Sequence, residues 1–384
     1  MDKKSTVGIV KVMDGDVGKA MESLVSLLGG LDSVISLSDT VLVKPNLATD
    51  KSYLSGAVTH PEVIRKCADM AVKAGTRKVI VGDSAIIGKD TNAVIEKNGL
   101  ASMISKRVEV KDFKASEMVT VAVPNATRYR RLPFPKEVME CDVIINLPVM
   151  KTHDCLPVTL GLKNMKGLVP DKVKRRIHKL GVEEAIIDIN RVALADITII
   201  DGVIGMEGDG PLDGDAANMG VIIGSFDALA AEVIAIKAMG FDPGSMSYIQ
   251  MAYKAGFGEM NPDRIHIVGE NLQDIKKNFK SNYFQKKEIG DKRMVIEDAE
   301  ACSACRNVIN MFLKEDVLHM QTDKLKDVCL AAGSYKDGTS PAGCKLLGVG
   351  NCLANCKDRF DEFVPGCPPL KRNISSAYRK LIEL

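Results

Sequence analysis

The chain has 384 residues, a formal net charge of +2, no tryptophan, and aromatic residues at only 4%. Near-neutral charge argues against nucleic acid or a charged membrane surface as partner, and so few rings leave little for single-stranded bases to stack on. No run of about 18 apolar residues occurs, and the opening MDKKSTVGIVKVMDG lacks the apolar core of a signal peptide, so the sequence predicts a soluble cytoplasmic protein without a membrane span.

Up to residue 270, short β-branched runs alternate with amphipathic stretches. VGIVKV, VLVKPN, KVIVGDS, DVIINLP, ITIIDG, GVIIGS and IHIVGE read as buried strands. Between them, VGKAMESLVSLLGG and HPEVIRKCADMAVKAG read as helices, the second ending on a glycine suited to a C-cap. This alternation predicts an α/β fold: a mainly parallel sheet flanked by helices, followed by a small C-terminal cysteine-rich module. The expected division is 1–290 for the α/β domain and 291–384 for the module.

Open parallel sheets bind ligands beyond the carboxyl ends of their strands. Those ends carry Lys44 and Asn46, then Asp83 and Ser84, then Lys151 and His153 after DVIINLP, and then Asp201. Asp, Ser and Asn also serve as ordinary turn formers and caps, but lysine does not. The stretch PVMKTHDCLPVTLGLKNMKGLVP adds Lys163, Asn164 and Lys166 among glycines, a composition suited to a carboxylate or phosphate. His153 beside Lys151 is a candidate for proton transfer, with Asp83 orienting its partners. The following DKVKRRIHK reads as a solvated helix face, with an anion-binding flank as the sharper alternative. DGVIGMEGDGPLDGDAANMG matches neither a calcium loop nor a dinucleotide motif and reads as a long flexible loop over the active edge. No Walker A sequence occurs.

VLVKPNL, VGDS, CDVIINLPVMKTHDCLPVTLGLKNMKG, IIDGVIGMEGDGP and GVIIGSFDALAAEVIAIKAMG resemble, in order, successive motifs of the DUF362 family. The resemblance spans residues 40 to 270 and implies an α/β body, often joined to iron–sulfur ligands, with no assigned reaction. Many members carry the ferredoxin run CxxCxxCxxxCP. This chain spaces its C-terminal cysteines differently, so a ferredoxin domain does not carry over.

Of ten cysteines, only Cys67, Cys141 and Cys155 precede residue 300. The other seven argue for metal or cluster ligation, since a disulfide framework needs an oxidising compartment. Cys302 and Cys305 form a CxxC, Cys352 follows GN, and Cys367 lies in VPGCPP. The last string is similar to the cluster-binding segment of the small iron–sulfur subunits of complex I and related hydrogenases. Its glycine permits a tight turn that aims N–H groups at sulfur, and its prolines stop any helix. The expected ligands of a [4Fe–4S] cluster are therefore Cys302, Cys305, Cys352 and Cys367, with zinc as the competing occupant. Cys356, one helical turn after Cys352, is the substitute ligand; Cys329 and Cys344 are buried small hydrophobes or support a second centre.

Three functions follow from this reading. The first is an iron–sulfur oxidoreductase acting on a small anionic substrate or cofactor, served by a redox partner protein. The second is a cluster-bearing carrier or assembly protein, and the third a non-redox enzyme with a structural metal.

Overall fold

A computed structural model describes residues 5–103, 105–153, 156–281, 294–297, 301, 303–317, 328–333, 335 and 343–383. They form two compact units. The larger holds the described residues up to His153, then Pro157–Arg175 and Glu183–Ser281; the smaller holds Leu156, Arg176–Val182 and the described residues from Met294 onward.

In chain order the first half gives β1 (Ser5–Lys11), α1 (Val17–Leu27), β2 (Thr40–Pro45), α2 (Pro61–Lys73), β3 (Lys78–Asp83), α3 (Thr91–Lys97) and β4 (Val108–Asp112). A hairpin of β5 (Met118–Ala122) and β6 (Arg131–Pro135) precedes α4 (Lys136–Glu140). Then come β7 (Val143–Leu147), β8 (Val149–Thr152), β9 (Val158–Thr159), α5 (Gly161–Asn164), α6 (Asp171–Leu180) and α7 (Val182–Asn190). The stretch closes with β10 (Ile197–Glu207), β11 (Asp215–Ser225), α8 (Ala228–Ala238), α9 (Ser247–Lys254), β12 (Ile265–Gly269) and α10 (Leu272–Ile275).

The main path of the large sheet runs β12-β1-β11-β10-β7-β2-β3-β4, with β8 and β9 branching from β10. From β10 through β4 every neighbour on that path is parallel; β11 alone runs against both its partners, β1 and β10. The fold is thus the α/β class expected, with a mainly parallel sheet. Both faces are covered, which is why β2 and β7 are buried along their whole length. Helix α2 shows how a flanking element is specified: His60 caps it, Pro61 opens it, and Val63, Ile64, Cys67, Ala68 and Ala71 bury one stripe.

Two expectations are corrected. DGVIGMEGDGPLDGDAANMG is no long loop: β10 continues to Glu207, and β11 starts at Asp215, paired antiparallel with it in register Glu207↔Asp215. Only residues 208–214 connect them, because both strands extend past the core as a paired ribbon. Asp201 consequently lies within β10 and not at its end.

The smaller unit has a sheet of its own. β13 (Met294–Glu297), β14 (Val328–Ala332), β15 (Lys345–Val349) and β16 (Glu362–Val364) pair in that order, all parallel. α11 (Ser303–Phe312) and α12 (Lys371–Glu383) join its core through Ile309, Phe312, Ile374, Tyr378 and Leu381, packed with Leu330, Leu347 and Val349. The Phe312 and Tyr378 rings meet edge-on, 5.3 Å between centroids. No helix among the described residues is long and apolar enough to cross a membrane.

Candidate functional site

β2 and β3 are parallel neighbours, so their carboxyl ends bring Lys44 and Asp83 side by side. Lys44 Nζ lies 2.9 Å from Asp83 Oδ1 and donates to the Pro45 carbonyl at 2.8 Å. The Asp83 carboxylate also accepts the backbone N–H groups of Ser84 and Leu47, both at 2.7 Å. Burial pushes the Lys44 pKa down, while the Asp83 charge opposes that shift. The backbone of Gly167 lies directly on this pair: a Cβ there would stand 2.1 Å from Asp83 Oδ1 and 2.9 Å from Lys44 Nζ.

Lys151, on β8, is 1% exposed. Its Nζ donates to Asn46 Oδ1 at 3.1 Å and to the Ala57 carbonyl at 2.8 Å. Asn46 passes the polarity on: its Nδ2 donates to Asn164 Oδ1 at 2.9 Å, and Asn164 Nδ2 donates to Asn146 Oδ1 at 2.8 Å. Asn146 Nδ2 ends the chain on the Gly161 carbonyl at 2.9 Å. Three carboxamides thus form one directional relay, each oxygen accepting and each amide nitrogen donating onward. Burial, with the Lys44 charge adding to it against the pull of Asp83, brings the Lys151 pKa down to about 7. A neutral amine has two N–H donors and one lone pair, and two acceptors are what Lys151 has here.

The other expected residues are placed as follows. Ser84 Oγ donates to the Gly167 carbonyl at 2.5 Å. Lys163 Nζ donates to Thr159 Oγ1 at 3.1 Å, and Lys163 is buried. His153 is buried just after β8, and Lys166 is half-buried in the turn that follows α5. Asp201 does not join the lysines through any of these bonds. Its carboxylate accepts the backbone N–H of His60 at 2.7 Å and of Val203 at 2.9 Å, fixing the segment before α2; burial brings its pKa up to about 6.

Sequence reasoning missed three participants. Lys174, read as part of a solvated face, is 4% exposed and donates to Ser84 O, Ser84 Oγ and Ala85 O at 3.1, 2.6 and 2.9 Å. Its burial, along with that of Ile177 three residues on, is the apolar-face signal that was available in DKVKRRIHK. Asn146 sits inside a strand-like run, where its side chain gave no hint of the relay. Glu232, in the apolar sequence of α8, accepts from the Leu162 N–H at 2.9 Å and Tyr248 Oη at 3.0 Å, anchoring α5; burial brings its pKa up to about 7.

In the smaller unit, Cys305 is buried in the first turn of α11, whereas Cys352 and Cys367 are exposed. Cys302 lies outside the described residues. The two exposed cysteines follow the carboxyl ends of neighbouring strands β15 and β16, and their loops are tied together. Asn351 N–H donates to Gly366 O at 2.9 Å, and Gly366 N–H donates to Asn351 Oδ1 at 2.7 Å. A Cβ on Gly350 would stand 3.2 Å from Cys305 Sγ. Gly350 and Gly366 have φ of 101° and 143°, a region that favours glycine.

Cys356 does not share the direction of Cys352 as an α-turn would require. Asn351–Arg359 is a 3₁₀ run, broken at Cys356 (φ −128°), whose thiol donates to the Leu353 carbonyl at 3.3 Å and packs with Leu353 and Phe360. Cys329 is fully buried on β14, and Cys344 is half-buried before β15. Among the described residues no group of three or more His, Cys, Asp or Glu is arranged to hold a metal ion.

Comparison with known proteins finds the family model described as a domain of unknown function, DUF362, over residues 41–237. That range takes in the whole lysine–amide network and none of the seven cysteines after residue 300. The chain is 29% identical over 273 residues to the thylakoid-associated protein sll1697 of Synechocystis sp., covering 68% of this chain and 82% of that protein. Among solved structures it matches the lactate racemase apoprotein of Thermoanaerobacterium thermosaccharolyticum at 13% identity and a TM-score of 0.39, covering 61% of this chain and 56% of that one.

Proposed function

Because the chain belongs to the DUF362 family, whose domain takes in the lysine-bearing network, we propose that it is a cytoplasmic iron–sulfur oxidoreductase acting on a small anionic substrate or cofactor. The observation that carries the redox half is the doubly bonded pair of loops at Asn351 and Gly366, each followed directly by a cysteine, with the Cys305 sulfur against Gly350. Cys302, Cys305, Cys352 and Cys367 would hold a [4Fe–4S] cluster. The donor set is all thiol, and glycine at 350 leaves the space beside the Cys305 sulfur free of a side chain. Such a cluster supplies one-electron transfer when bound. Cys352 is preferred to Cys356, whose thiol donates to the Leu353 carbonyl and packs beside Leu353 and Phe360.

In the body, Lys44 and Lys163, joined by Lys151 once it has taken up a proton, would favour an anion such as a carboxylate or phosphate, against the charge of Asp83. Lys151 is the group best suited to take up a proton, since its two acceptors and its pKa near 7 fit a neutral amine with a lone pair to offer. His153, two residues on, is the second proton-transfer group. Ser84, Asn46, Asn164 and Asp201 position the segments around them, and Lys166 would add a further cation for the anion.

A carrier role is the second reading, and the exposure of Cys352 and Cys367 favours it. Anaerobic purification with iron and acid-labile sulfide analysis tests the common premise. About four of each per chain, with absorption near 400 nm bleached reversibly by dithionite, supports the cluster. A colourless protein carrying zinc overturns it. Reoxidation that depends on an added small carboxylate or phosphate ester then separates the enzyme from the carrier.

A further inference from the structure

Helix α12 begins four residues after Cys367, so Lys371 lies no more than about 15 Å along the chain from that cysteine. One side of the helix, Ile374, Ala377, Tyr378 and Leu381, is buried in the core of the smaller unit. The other exposes Arg372, Ser376, Arg379 and Lys380, the spacing of a single helix face. With Lys371 they line a groove of about 460 Å³. Asp316 lies in it, 3.2 Å from Lys371 and 3.6 Å from Arg379, and Lys380 reaches Glu362 at 3.4 Å. Among the described residues, four cations here meet two acids.

We propose that this face is the docking surface for an acidic electron-transfer protein, which would seat carboxylates on Arg372, Arg379 and Lys380. The proposal rests on the iron–sulfur reading above. One electron would pass from the reduced partner to the oxidised cluster, and no covalent bond would change. A protein fits better than a small anion for two reasons. The cations from residue 372 to 380 extend over about 12 Å of helix, longer than a phosphate. The groove already contains the Asp316 carboxylate, which repels a compact anion, whereas a protein surface can spread its carboxylates along the helix away from it.

The test uses the full-length protein and a small acidic ferredoxin as probe, with affinity measured calorimetrically at low and high salt. The expected result is binding that weakens with salt. In R372E/K380E it should weaken by roughly tenfold or more at low salt, and in R372K/K380R it should stay unchanged. Cluster content and melting temperature should match the parent in both variants. Stopped-flow reduction by the ferredoxin should slow in R372E/K380E, while photochemical reduction by a deazaflavin should not. Ferredoxin affinity unaffected by charge reversal, or no binding at all, overturns the docking surface. Inorganic pyrophosphate that binds more tightly than the ferredoxin and displaces it also overturns it, by making the groove a small-anion site. Absence of iron from the parent protein strikes the cluster reading instead, and the calorimetric arm still judges the surface.

Discussion

Lys44 and Asp83 form a 2.9 Å ion pair, 0% and 3% exposed, at the carboxyl ends of neighbouring parallel strands. Charges so far from water persist only where each has its partner, and removing one leaves the other stranded. Lys44→Met should destabilise the larger unit by about 3–5 kcal/mol. Adding Asp83→Leu to it should cost much less than the two single effects summed, because the stranded carboxylate is gone. Urea unfolding of the two single variants and the double variant measures this.

Gly167 approaches that pair more closely than any side chain permits. Gly167→Ala puts a carbon 2.1 Å from Asp83 Oδ1, and backbone or carboxylate must move. A loss of about 1–3 kcal/mol is expected, as for other overpacked sites. The Ser84 contact with the Gly167 carbonyl makes the 84–85 segment the first to loosen, and hydrogen exchange at Ala85 should report it.

Glu232 and Lys151 give opposite pH slopes. Glu232 has its folded pKa raised from 4.5 to about 7 by burial, so below 4.5 its stabilising contribution is complete, and it is lost as pH rises to 7. That loss is about 3 kcal/mol in order of magnitude. Lys151 has its folded pKa lowered from 10.5 to about 7, so its contribution is complete above 10.5 and is lost as pH falls through 7. Glu232→Gln should remove the falling limb between pH 4.5 and 7, and Lys151→Met the rising limb above 7. The slope of unfolding free energy against pH is the readout. It stays interpretable for Lys151→Met even though Asn46 and Ala57 lose a donor.

In the smaller unit, Ser variants of Cys302, Cys305, Cys352 and Cys367 should each lose most of the iron. Cys356→Ser, Cys67→Ser and Cys141→Ser should keep it. Gly350→Ala should lower both iron retention and melting temperature, because its methyl would meet the Cys305 sulfur at 3.2 Å and a φ of 101° strains any side chain. Iron analysis after anaerobic purification decides each case. Full iron in Cys352→Ser with loss in Cys356→Ser would reverse the choice between those two.

What the sequence determined by itself is local: the strands of the large sheet, their direction implied by intervening helices, and the polar residues delivered to their carboxyl ends. VLVKPN and KVIVGDS end in a lysine and an aspartate, and two such ends in neighbouring parallel strands must lie together. Which strands are neighbours, though, depends on contacts between residues far apart in the chain. The Asn46–Asn164 bond joins positions 118 residues apart, and Leu162–Glu232 joins positions 70 apart. No periodicity records such pairings, so the amide relay and the buried Glu232 came only from the tertiary structure. The same cause hid the parallel sheet of the smaller unit. VCLAA and KLLGV are short apolar runs without a period, readable as strand or helix core until a neighbouring strand supplies the hydrogen bonds. Asp201 shows the reverse case: its sequence context looks like a strand end, and only antiparallel pairing with β11 carries β10 past it to Glu207.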